Sequence, residues 1–143
     1  MNICVVTHDV LKGNGQGRVN YEFICEAIRQ DHRFTVLASR IDPTLGQSTN
    51  VTFEKITVNG LPSALLKEVY FSWIASRWLH KRANKFDVIK INDAIANYPS
   101  DINAAHFIHS SWLACPYDPS YQSMKWASIK GFYQYLYAQF NSR

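Results

Sequence analysis

An α/β fold, with a mostly parallel sheet and helices on both of its faces, is what this sequence predicts, and three observations predict it. Short apolar runs alternate with longer amphipathic ones along the chain, and a glycine-rich stretch joins the first of each kind. The composition is that of a globular domain, with 47% hydrophobic and 18% charged residues. At 143 residues a single domain, residues 1–143, is expected.

Ile3, Cys4, Val5 and Val6 form the first strand. The stretch from Thr7 to Phe23 then carries a glycine-rich loop (Gly13, Gly15, Gly17) into a helix starting near Gly17. Glycine admits positive φ and a close ligand approach, and a helix start aims unpaired N–H groups at the same point, so anion binding is the first expectation here. Val19, Phe23, Ile24, Ala27 and Ile28 recur at helical spacing, and Asp31-His32-Arg33 ends the helix.

Phe34–Ser39 is the second strand, and a polar loop follows from Asp42-Pro43 through Gly46 to Asn50. Val51–Val58 alternates as a third strand, and Asn59-Gly60-Leu61-Pro62 turns the chain. Ser63 to Lys85 reads as a long helix with Ser63 near its cap and Arg77, Lys81, Arg82 and Lys85 toward its end. Phe86–Ile91 is the fourth strand and Ala104–Ser110 the fifth. The last segment, Met124–Phe140, is an aromatic helix with Gly131 as a weak point. An alternating chain would return to a strand after it, so the domain is expected to be incomplete at its C-terminus.

A net charge of +4 and a pI near 9.0 suit an anionic partner but discriminate little among them. Cys4, Cys25 and Cys115 have neither C-x-x-C spacing nor an even count, so the sequence supports neither a zinc ribbon nor a disulfide framework. The N-terminus lacks the basic flank and long apolar run of a secretory signal, so a cytoplasmic location is expected and the Asn50-Val51-Thr52 sequon is discounted. The long helix is too charged to span a membrane. Packing one face on the sheet is its expected role, and peripheral contact with an anionic bilayer is the further partner expectation.

Ligands of open parallel sheets bind beyond the carboxyl ends of the strands, where strand order reverses. With the order 3-2-1-4-5, strand one ends there in Thr7, His8 and Asp9, strand four in Asn92 and Asp93, and strand five in His109, Ser110 and Ser111. His106 and His109 lie three apart on a strand and so face opposite ways, which argues against a shared metal; His109, at the strand's end, is the functional candidate. A dinucleotide site fits badly. The glycines are not spaced G-x-G-x-x-G, and the second strand ends in Ser39-Arg40 with no acid for a ribose, though an Arg there keeps NADP as a minor option. No G-K-S or G-K-T follows the glycines, which excludes a Walker loop.

Taken together, NICVVTHDVLKGNGQGRVNYEF, FTVLAS, FDVIKINDA and AAHFIHSSW resemble the N-terminal domain of family 4 glycosyltransferases, the first Rossmann-like half of a GT-B fold. The likeness covers nearly the whole chain and lies in the order of its parts, with Arg18 and Glu22 on the helix after the glycines. Asp31-His32 departs from the Gly-His pair of many relatives. The resemblance implies retaining transfer of a sugar from a nucleotide-sugar to an acceptor, without a cofactor and typically without a metal, and without nucleic acid as a partner. It implies that Gly13, Gly15 and Gly17 face the donor phosphates and that His109 approaches the transferred sugar, with Asp93 and His8 as neighbours. The family's donor-holding glutamates, two with seven residues between them, have no counterpart among Glu22, Glu26, Glu54 and Glu68, so residues 1–143 alone are expected to be inactive. The rival expectations are a non-catalytic module docking on a membrane or partner, and an NADP-binding domain.

Overall fold

Five strands pair side by side in the computed structural model, which describes residues 1–13 and 15–105. In chain order the elements are β1 (Asn2–Val6), β2 (Asp9–Val10), α1 (Gly15–Arg29), β3 (Arg33–Ala38), β4 (Arg40–Ile41), α2 (Pro43–Gly46), β5 (Val51–Lys55), α3 (Ala64–Arg82), β6 (Val88–Asn92) and β7 (Ile102–Ala104). The sheet runs β5-β3-β1-β6-β7 with every pairing parallel, which is the order 3-2-1-4-5. The chain winds outward from β1 through β3 to β5, then crosses back to β6 on the other side of β1. The switch point therefore lies at the carboxyl ends of β1 and β6.

Period-two alternation along β1 divides the core. Ile3 and Val5 pack with Tyr21, Ile24 and Ala27 of α1, and Cys4 and Val6 pack with Phe71, Ala75 and Leu79 of α3. Helices thus cover both faces. Burial pushes the Cys4 thiol up to about 12, so this cysteine behaves as an apolar core residue. In α3 the inward residues recur every fourth position, and the Ser63 hydroxyl caps the helix by accepting from the Leu66 N–H at 3.2 Å. His80, Lys81 and Arg82 occupy its last turn, where cations suit the dipole.

Besides the small β2–β4 sheet, which the sequence reading did not expect, the structure departs from that reading in four places. First, α1 begins at Gly15, so Gly15 and Gly17 belong to its first turn rather than to a loop; the Leu11 N–H donates to the Gly17 carbonyl and draws the strand exit onto that turn. Neither Gly13 nor Gly15 needs positive φ; among the described residues Gly60 is the glycine that has it, at 89°. Second, β5 stops at Lys55, short of Val58. Its neighbour β3 ends at Ala38, and the chain after it turns away to pair β4 with β2, which leaves residues beyond Ile56 without a ladder. Third, Asp42-Pro43 opens the one-turn helix α2, with the Asp42 carboxylate accepting from the Thr44 N–H and Pro43 at the start, where a missing N–H costs nothing. Fourth, β7 starts at Ile102, two residues before the expected fifth strand. The strand ends at Ala104, and residues 106–110 of the expected one, with His106 and His109, and those of the expected aromatic helix at 124–140 lie outside the described residues.

Candidate functional site at the carboxyl ends of the strands

Thr7 and His8 leave β1 on opposite faces, and each meets a different helix. On the α1 face, Thr7, Asn20, Lys90 and Asn92 form a buried polar cluster. The Lys90 ammonium donates to Asn20 Oδ1 at 2.9 Å and to Asn92 Oδ1 at 2.5 Å, while Asn20 Nδ2 donates to Thr7 Oγ1 at 3.1 Å. Its partners are neutral amides, so burial holds the Lys90 pKa below its ordinary value, with Asp93 pulling the other way. The Phe23 ring lies 5.7 Å from the ammonium. The cluster ties α1 to β1 and β6 directly beneath the switch point.

Asp93, the next residue after β6, stands above that cluster. It adopts φ 52°, a left-handed conformation uncommon for a non-glycine residue. Its N–H donates to the Ala104 carbonyl, its carbonyl accepts from Asn103 Nδ2 at 3.1 Å, and its carboxylate accepts from Gln16 Nε2 at 3.3 Å. An acid is thereby held beside the first turn of α1, where negative charge suits the dipole. Gly13 and Gly15 are exposed, and a Cβ on either would meet open space, so a ligand can approach the backbone there closely.

On the α3 face, His8 Nε2 lies 2.8 Å from Glu68 Oε2, and the His8 ring packs 4.4 Å from that of Phe71. These groups border a cavity of about 510 Å³ whose wall includes His8, Ser39, Arg40, Lys55, Lys67 and Glu68. The Ser39 hydroxyl is buried there without a hydrogen-bond partner. Arg40, the residue that kept a 2′-phosphate site in view, donates from Nε to Asp9 Oδ1 at 2.7 Å and forms a two-pronged pair with that carboxylate, which raises the guanidinium pKa further. A second cavity, about 590 Å³ with Arg33, Glu54, Trp78 and Arg82 in its wall, lies toward the amino ends of β1 and β3. That is the end of a parallel sheet that ligands do not use.

Of the expected rim, the ends of β1 and β6 lie among the described residues, and alternation divides them. Asp93 joins Gly13 and Gly15 at the start of α1, whereas His8 turns to α3. His109 lies outside the described residues. Among those described, no three His, Cys, Asp or Glu side chains gather as a metal-binding group. Sequence reasoning missed Asn20, Lys90 and Glu68. A lysine at an inward position of FDVIKIN and an asparagine on the apolar face of α1 were the available signals for the first two, since buried polar groups require partners. Glu68 carried none, because only the folded chain brings it within reach of His8, sixty residues away.

Compared with known families, residues 13–143 match the family model described as Glycosyltransferase Family 4. No curated protein and no solved structure gave a match.

Proposed function

Because the chain belongs to glycosyltransferase family 4, we propose that it supplies the acceptor side of an enzyme that moves a sugar from a nucleotide-sugar donor to an acceptor, with retention at the anomeric carbon. The observation that carries this reading is Asp93, held in a left-handed conformation at the switch point and hydrogen-bonded to the first turn of α1. Unfavourable backbone conformations of this kind concentrate where a ligand is positioned.

The first turn of α1, with Gly13 and Gly15 open to solvent, faces the donor phosphates. Its free N–H groups and dipole stabilise the negative charge that builds on the leaving phosphate. Asp93 accepts hydrogen bonds from sugar hydroxyls rather than meeting phosphate, which its own charge repels. His109 approaches the transferred sugar. The cavity between His8, Ser39, Lys55 and Glu68 receives the acceptor: the His8–Glu68 pair offers hydrogen-bonding groups to a polyol, and Lys55 and Lys67 favour one that carries negative charge.

Two measurements test the proposal. Purified residues 1–143 are expected to release no sugar from UDP-, GDP- or ADP-sugars, since they hold no two glutamates with seven residues between them; turnover by this polypeptide overturns the acceptor-side assignment. In an active transferase carrying this domain, Asp93→Ala is expected to lower kcat/KM by about 10²-fold or more, equivalent to ~2.7 kcal/mol of lost transition-state stabilisation. Unchanged turnover in a folded Asp93→Ala variant removes Asp93 from the site.

A further inference from the structure

Helix α3 has a second face that the sheet does not use. Leu66, Val69, Tyr70 and Trp73 are 48%, 40%, 40% and 56% exposed, and their spacing of three and four residues sets them in one stripe. Arg77 continues it, its guanidinium 5.7 Å from the Trp73 ring, and the Tyr70 ring lies 6.3 Å from Trp73 on the other side. Single exposed apolar residues are ordinary, whereas a contiguous stripe of four marks an interaction surface.

Charge selects the partner. The helix has one acidic residue, Glu68, and it turns toward the sheet to pair with His8. The exposed charges on α3 are then Lys67, Arg77, Lys81 and Arg82, all positive. Aromatic rings and leucine on one face, flanked by long cationic side chains that reach past them, is the pattern of a helix lying in a lipid headgroup boundary. No described helix is long and apolar enough to cross a membrane, so the contact is peripheral.

We propose that α3 docks this domain on an anionic lipid bilayer, with Leu66, Val69, Tyr70 and Trp73 entering the headgroup boundary and Lys67, Arg77 and Lys81 meeting its negative charge. This goes beyond the transferase reading and stands without it. Lys67 and Glu68 also wall the cavity beside His8, so docking through α3 brings that cavity next to the lipid surface.

The test is cosedimentation of the chain with phosphatidylcholine vesicles, with and without phosphatidylglycerol. Binding is expected to the anionic vesicles and to fall with added salt. Arg77→Ala is expected to weaken it about fivefold, the equivalent of ~1 kcal/mol for one cation at an anionic surface, and Trp73→Ser by about tenfold through lost apolar burial. Both side chains are exposed, so both variants fold, as circular dichroism will report. Three results overturn the proposal: equal binding to both vesicle types, binding that neither substitution weakens, or a dimer in sedimentation velocity that Trp73→Ser abolishes, which assigns the stripe to a second copy. Nucleotide-sugar turnover plays no part in the readout, so failure here leaves the transferase reading standing.

Discussion

The two sides of the rim solve opposite problems with neighbouring residues. On the α1 side, Thr7 joins Asn20, Lys90 and Asn92 in a cluster closed to solvent. On the α3 side, His8 and Glu68 pair across the wall of an open cavity, with Phe71 beneath them. A closed polar cluster fixes backbone, because every member has its partners and none is free for a ligand. An open one keeps side chains accessible. Polarity at this rim thus divides by sheet face into a part that positions α1 and a part that can be reached.

The largest expected effect comes from the apolar base of the open side. Phe71 is fully buried, and Phe71→Ala should cost about 3–5 kcal/mol of unfolding free energy in urea, by lost transfer energy and the cavity left behind. Next is the closed side. Asn20→Leu removes one of two amide oxygens that accept from the Lys90 ammonium and should cost about 2–3 kcal/mol, since it strands part of a buried charge. If it costs nothing, Lys90 reaches water and the closed character of this side is wrong.

The same cluster makes a pH prediction with a definite sign. The native Lys90 pKa lies below the ordinary 10.5, so between the two values the unfolded chain holds a proton that the native chain has released. Stability contributed by this group must therefore rise with pH across that window. Asn20→Leu lowers the native pKa further and widens the window downward. The variant's deficit should shrink as pH approaches 10.5, and urea midpoints measured against pH for both proteins will show it. Glu68→Gln should behave differently. Its pair with His8 is partly exposed, so the loss of stability should stay below about 1 kcal/mol, while the reachable side of the rim changes its hydrogen-bonding character.

Much of this arrangement was legible in the sequence because it depends on local pattern. The parallel sheet followed from the alternation of apolar runs with helices, its strand order being the common one for such sheets, and the Ser63 cap followed from its place before an amphipathic run. The polar strand ends marked the rim, and Asp93 accepts a hydrogen bond from Gln16 in the first turn of α1. What escaped depends on neighbours distant in the chain. The pairing of β2 with β4 needs two residues from each of two loops, too few for periodicity to register. The division of Thr7 from His8 follows from strand alternation, yet its consequence appears only when Asn20 and Glu68 arrive from two different helices. Gly15 and Gly17 misled for a local reason: glycine suggests a loop, but a first helical turn tolerates it, and here the Leu11 N–H bond to Gly17 holds that turn in place.

The smallest effect should raise stability, and it lies away from both sides of the rim. At the end of α1 the His32 N–H donates to the Ala27 carbonyl and the Asp31 N–H to the Ile28 carbonyl, the bond pattern of a Schellman motif. Asp31 occupies the position where that motif favours glycine, at φ 61°, and there a Cβ crowds the backbone by roughly 1–2 kcal/mol. Replacing it with glycine relieves the crowding but adds freedom to the unfolded chain, which returns about 0.4–1 kcal/mol of the gain. Asp31→Gly should thus stabilise the domain by about 0.5–1 kcal/mol, a higher urea midpoint with an unchanged slope. Asp31 lies two residues before β3, at the amino end of the sheet, so the variant should leave the pH dependence traced to Lys90 as it was. A changed pH profile would mean that the helix end and the closed cluster move together, and that α1 is positioned along its whole length rather than at the rim.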